Sequence, residues 1–153
     1  MGTTERKAIE KLRQRFGESA VLELKEFRDE VTLVVRRELV AEISQLLRDD
    51  PELEYVFLSD LCGVDWPGRP ERFEVVYNLY SLSHKSRLRL KVRLPESEPA
   101  VPSVRGVWPT ADWHEREAYD LYGIRFTGHP DLRRILNPDG FVGFPYRKDF
   151  PIR

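Results

Sequence analysis

Few side chains in this sequence have the types and spacing that chemistry needs. His114 and Glu117 stand three apart, a spacing that puts two ligands on one face of a helix. A carboxylate-bridged metal site draws on several such helices, and the other two histidines, His84 and His129, fall in a turn and a loop, so the ligand count argues against a metal centre. Asp60 and Asp65 could act as paired carboxylates, and with His129 they would suffice for a free-standing small-molecule enzyme if a deep pocket joined them. Beside Pro67-Gly68 their simpler role is to cap turns. Cys62, next to Gly63, reads as a small buried hydrophobe rather than a reactive thiol. No GxSxG, glycine-rich phosphate loop or GxGxxG occurs.

A second constellation is a stripe of cations. Arg87, Arg89, Lys91 and Arg93 alternate with Leu88, Leu90, Val92 and Leu94, which predicts a strand with one apolar and one basic face. Two readings of the basic face are open: a solvated strand whose charges deter edge pairing, or a docking face for an acidic neighbour. Nucleic acid is a weaker third reading, because no aromatics interleave with the cations.

The elements that must position these residues follow from periodicity. Helices are expected over Thr4–Phe16, where Ile9, Leu12 and Phe16 form a stripe, and over Glu38–Arg48, ended by Pro51. Strands are expected at 21–24, around 31–35 and at 55–58. A hairpin is expected from Phe73, Val75, Tyr77 and Leu79 paired with the Leu88–Leu94 strand across a turn at Ser83–Ser86. Pro95–Pro102 is a break rich in proline and acid. Trp113–Tyr122 reads as a helix with Asp112 and Glu115 as a capping box and Gly123 as its stop. No period of 2 or 3.6 continues beyond Ile124. The fold class is therefore α+β, two-layered, with helices on one face of a largely antiparallel or mixed sheet and an extended C-terminal arm. The expected division is 1–95 for the sheet domain, 96–123 for a linker and helix, and 124–153 for the arm.

Composition narrows the function. The chain has 153 residues, 41% hydrophobic and 33% charged, with 25 basic and 26 acidic side chains and a net charge of −1. That balance gives no electrostatic case for nucleic acid. One cysteine rules out an intrachain disulfide, a self-contained Cys-ligated iron–sulfur cluster or a four-cysteine zinc site. No apolar run approaches the roughly 20 residues of a transmembrane helix, so a membrane link is expected only through a partner.

The last third, WHEREAYDLYGIRFTGHPDLRRILNPDGFVGFPYRKDF, mixes both charges with aromatics, glycine and proline, which suits a segment lying along another protein. Glu115-Arg116-Glu117 followed by Asp120, Gly128-His129-Pro130, Leu132-Arg133-Arg134-Ile135-Leu136 and Arg147-Lys148-Asp149-Phe150 strongly resemble the 30-kDa subunit family, the C subunit, of respiratory complex I, the proton-pumping NADH:quinone oxidoreductase. Related domains occur in membrane-bound hydrogenases. The resemblance implies a two-layer fold and a structural member of the hydrophilic arm that docks on the large quinone-site neighbour, the D subunit. It implies no flavin or cluster in this chain, with FMN, iron–sulfur clusters and quinone held elsewhere in the complex. The implied location is peripheral, on the cytoplasmic side of the bacterial plasma membrane. It marks Glu115, Arg116, Glu117, Asp120, His129, Arg133, Arg134, Arg147, Lys148 and Asp149 as interface positions, with Glu117 and Asp120 facing the arm's arginines once the arm folds back or meets a partner.

Two departures bear on this. The family commonly has Gly-His-Pro-Leu where this chain has Gly143-Phe144-Pro145-Tyr146, which puts a polar contact at 144 in question. The sequence also stops at Arg153 without the extension some relatives carry, so contacts made by such an extension are expected from elsewhere. The arm's apolar periodicity is too sparse to offset the ordering entropy of some thirty residues, so much of it is expected to gain order on binding, with Phe144, Tyr146 and Phe150 filling notches on the partner.

Overall fold

The computed structural model describes residues 1–151. Its elements are α1 (Thr3–Phe16), β1 (Val21–Phe27), β2 (Glu30–Val35), α2 (Val40–Asp49), β3 (Phe57–Asp65), β4 (Phe73–Ser81), β5 (Ser86–Leu94), β6 (Ala100–Pro102), α3 (Ala111–Tyr122) and β7 (Arg125–Thr127). The five long strands form one mixed sheet in the order β1-β2-β5-β4-β3. The pairs β1–β2, β4–β5 and β3–β4 are antiparallel, and β2 runs parallel to β5.

Register explains the single core. Phe73, Val75, Tyr77 and Leu79 face Leu94, Val92, Leu90 and Leu88 across β4–β5, and Leu33 of β2 pairs with Leu90. These side chains share one face, and all are buried. The apolar stripes of α1 (Ala8, Ile9, Leu12) and α2 (Val40, Ile43, Leu47) close over that face in the same cluster. The opposite face carries Arg87, Arg89, Lys91 and Arg93, and neither α1 nor α2 covers it. Most of its cations are neutralised across strands: Lys91 lies 3.5 Å from Glu74, and Arg93 lies 2.7 Å from Glu23.

Several expectations need correction. The strand expected at 55–58 begins instead at Phe57 and runs on to Asp65, because a bulge between Leu58 and Asp60 shifts the register and hides the alternation that continues through Leu61 and Gly63. Cys62 points away from the core and is exposed, not a buried hydrophobe. Residues 96–127 also contribute more than a linker. β6 pairs with β7 in parallel, and Val101, Val104, Trp108, Ile124 and Phe126 join the main core. The arm proper thus starts after Thr127 rather than at Ile124. No helix among the described residues is long and apolar enough to cross a membrane.

The two faces of β5 give an expected outcome. Leu90 is fully buried, so Leu90→Ala should destabilise the chain by about 2–5 kcal/mol. Arg89→Ala should stay within about 1 kcal/mol of the parent, since its ion pair is partly solvated. Urea titration of both variants checks the ranking.

Candidate functional site

α3 leans on the edge strand β3. It comes close because residue 63 is glycine: a Cβ there would sit 2.7 Å from the Tyr122 ring. The helix starts at Ala111, earlier than the expected capping box allows, and Thr110 at its N-cap makes no side-chain cap bond. Glu115 serves another purpose. It is fully buried and accepts hydrogen bonds from Ser103 Oγ and the Val104 N–H, fixing the loop before the helix. Burial raises its carboxyl pKa, and those two donors only partly offset the rise.

At the other end, Gly123 closes α3 in the left-handed conformation, with φ of 79°. Beyond it the arm turns back and caps the helix. Asp120, without exposed surface, is the first anchor. Its Oδ2 accepts the successive backbone N–H groups of Ile135, Leu136 and Asn137 at 3.1, 2.7 and 2.8 Å. Its Oδ1 accepts Arg134 Nη1 at 2.7 Å and Asn137 Nδ2 at 2.9 Å. Burial works against the charge, but the Asn137 amide, the Arg134 guanidinium and the neighbouring N–H groups outweigh it and hold the carboxyl far below the usual carboxylate range. Arg134 also donates to the carbonyls of Asp120, Phe141 and Gly143. One guanidinium thereby joins the helix end to two points of the arm.

Asp65, at the end of β3, is the second anchor. Its carboxylate takes a two-pronged bond from Arg72 at 2.6 and 2.8 Å and the Lys148 backbone N–H at 2.8 Å. Arg72, chiefly, and then the Lys148 amide lower the Asp65 pKa. Arg72 also reaches Asp149 and Glu96. Between the anchors, Tyr146 N–H and Arg147 Nε donate to the carbonyls of Leu121 and Tyr122, helix-end acceptors with no partner inside the helix. The Arg147 guanidinium lies between the rings of Phe73 and Phe144. A Cβ on Gly123 would stand 2.7 Å from both Arg147 and Phe144, so that glycine serves the turn and the close approach together.

This places the residues marked in the sequence. Asp120 meets Arg134, as the sequence reading allowed. Arg116 does not pair with Asp120; it reaches the carbonyls of Arg133 and Arg134. The His129 side chain is buried against Asp112 at 2.9 Å, and Arg147 is turned inward. Arg133 and Lys148 point outward, Asp149 is exposed while it binds Arg72, and Glu117 is half-buried. Phe144 packs edge-on against Tyr119, and Phe150 stacks on Phe141, so these two rings are part of this chain's own packing. At position 144 the contacts are with two guanidiniums, at 5.0 and 4.7 Å. Sequence reasoning missed Asp65 and Arg72 as an anchor; the one available signal was two opposite charges bracketing the turn after β3. Asp60 instead lies 3.8 Å from His114, so Asp60, Asp65 and His129 each have a different neighbour and do not converge. Among the described residues, no three His, Cys, Asp or Glu side chains gather in a way that could hold a metal ion.

Residues 33–153 match the family described as respiratory-chain NADH dehydrogenase, 30 Kd subunit. The chain belongs to this 30-kDa subunit family. It is 50% identical over 144 residues to the NADH-quinone oxidoreductase C subunit of Roseiflexus sp. (strain RS-1), covering 94% of this chain and 82% of that protein. It is also 50% identical over 147 residues to the corresponding protein of Geotalea uraniireducens (strain Rf4), covering 96% and 88%. Among solved structures it resembles the trypsin-resistant fragment of Nqo5, with a TM-score of 0.68 and 32% identity over 85% of this chain and 100% of that one. An archaeal membrane-bound sulfane sulfur reductase complex contains a chain with a TM-score of 0.77 at 21% identity, covering 97% and 86%, which shows a shared fold. The chain is thus a 30-kDa-type subunit of NADH–quinone oxidoreductase, an enzyme complex.

The two anchors set a pH dependence. Asp120, Asp65 and Asp149 all have folded pKa values below their ordinary range, so the stability they give the arm is present above about pH 4 and is lost as pH falls further. Glu115 has the opposite sign, since its folded pKa is raised and protonation does not loosen α3 at that point. Acidification should therefore release the arm before the sheet. Asp120→Ala should do the same at neutral pH by leaving the Arg134 charge without its carboxylate and the three N–H groups without an acceptor, at a cost of about 3–5 kcal/mol. Amide exchange at 135–137 and tryptic cutting after Arg133 and Arg134 report it, with the Phe73–Leu94 hairpin as the unchanged reference.

Proposed function

We infer that this chain is a structural brace without redox chemistry of its own, and that it docks on the large quinone-site neighbour, the D subunit, through the outer side of α3 and the arm. In this reading FMN, iron–sulfur clusters and quinone belong to other members of the complex. The chain is peripheral on the cytoplasmic side of the bacterial membrane and reaches the membrane only through the complex.

The observation that carries the reading is how the arm uses its groups. Its inward charges are taken up by Asp120, Asp65 and helix-end carbonyls, and much of what remains outward is apolar. Val142 is 88% exposed, Tyr146 59% and Leu136 57%, with Trp113 at 54% on α3. Such large apolar side chains, held on a rigidly tied segment and flanked by Arg133 and Lys148, have the composition of an interface core with a charged rim. Because the arm is already tied to its own domain, docking would require little further ordering.

Val142→Asp combined with Tyr146→Glu should sharply lower co-purification of the large neighbour from detergent-solubilised membranes. The melting temperature of the free chain should fall only slightly, because Val142 is almost fully exposed and Tyr146 gives up one edge-on ring contact with Tyr122, worth about 0.5–1.5 kcal/mol. Normal assembly of that variant would remove the arm from the interface. Reversing Arg147 is a poorer test, because it would also break the arm's internal contacts.

A further inference from the structure

A second surface lies at the opposite end of β3 from the Asp65 anchor. At its start, Phe57 pairs with Tyr80 of β4, and Tyr80 pairs with Arg87 of β5. These residues, with Ser59, Arg89 and Glu30, line a groove of about 440 Å³ on the sheet face away from α1 and α2. We propose that this groove docks a segment of a second neighbouring protein of the complex in which a carboxylate sits beside an apolar side chain.

Charge is the first ground. Lower on the same face the cations are matched: Lys91 by Glu74, and Arg93 by Glu23 and Glu74. Arg89 donates to Asn78 at 2.9 Å and lies 3.7 Å from Glu30. Arg87 alone of the stripe has no carboxylate within 4.0 Å among the described residues; its guanidinium rests 5.9 Å from the centre of the Tyr80 ring. The groove therefore carries one uncompensated cation in a setting that is otherwise balanced, which complements a single incoming carboxylate rather than a polyanion. Its fork can take that carboxylate through two hydrogen bonds.

Apolar surface is the second. Phe57 is 57% exposed and Val56 beside it 55%. A phenylalanine, a tyrosine and an arginine around one concavity form a residue combination that concentrates binding energy at interfaces. Placement is the third. At about 3.3 Å per residue, the eight steps from Phe57 to Asp65 separate the groove from the arm's anchor by roughly 26 Å. The arm's partner and the groove's partner thus meet different ends of the molecule, and the chain would bridge two neighbours. This rests on the reading of the chain as a brace within the complex, but not on which neighbour the arm contacts.

The test uses the complete complex in its native membrane. A photoreactive phenylalanine analogue is placed at position 57 or, separately, at 142. The expected result is a crosslink from 57 to a peptide of another protein of the complex with Asp or Glu within two residues of an apolar side chain, while 142 crosslinks to the large quinone-site neighbour. Arg87→Glu should lower the 57 crosslink at least fivefold and leave that from 142 unchanged, and Arg87→Lys should retain most of it. The proposal is overturned if 57 gives no crosslink while 142 does, if it reaches lipid or a second copy of this chain, or if Arg87→Glu has no effect. A crosslink from 57 without one from 142 would sustain the groove and remove the arm reading instead.

Discussion

The arrangement of the last third of this chain depends on one buried carboxylate. Asp120 has no access to water, yet it is charged, because the chain gives it three successive backbone N–H groups, an amide and a guanidinium. A carboxylate in that position is costly unless its acceptor sites are filled. The groups that fill them come from residues 134–137, so satisfying the charge and folding back the arm are one event. A helix C-terminus has the same need in reverse, with carbonyls that lack donors. The arm meets both needs at once, since Arg134, Tyr146 and Arg147 supply the donors for Asp120, Leu121 and Tyr122.

Aromatic rings complete the attachment without a conventional core. Arg134 and Arg147 each lie against Phe144, and Arg147 also lies against Phe73 of the sheet. Planar guanidinium groups can stack on rings while their edges hydrogen-bond to carbonyls, which lysine cannot do. This is how a segment with no helix or strand keeps a defined path. Periodic apolar burial weighed against entropy alone leads to an arm ordered only by its partner. Hydrogen bonds to buried charge and to helix ends are the ordering forces that such a balance omits.

The parts of the fold that were legible are those with a clean period. The alternation in Phe73–Leu79 and Leu88–Leu94 marked the hairpin and both of its faces, and the stripes of Ile9, Leu12 and Ile43, Leu47 marked two helices. β3 was cut short because its bulge breaks the period after Leu58. β6 and β7, three residues each, are too short to have a period, and the prolines around β6 read as a linker. Blocks of residue types pointed to the signature positions, and those blocks also carried the family. Their separation into inward and outward groups was not legible, because it depends on which way each side chain turns at α3. Glu115 illustrates this: its place three residues after Asp112 suggested a cap, whereas its true partners lie in the preceding loop.

The parallel seam between β2 and β5 also fixes an order of assembly. β1–β2 and the β3–β4–β5 meander are each built from neighbours in sequence, but Thr32, Leu33 and Val34 must wait for Arg89, Leu90 and Lys91. Closing so long a loop is entropically slower than closing a hairpin. During synthesis, until β5 has left the ribosome, the inner edges of β2 and β4 lack the strand that separates them in the finished sheet. The nascent chain then carries two open, valine-rich edges, a template for pairing with other chains. The central strand of the sheet is thus also the last of the five to be made, and those two edges stay open until it arrives.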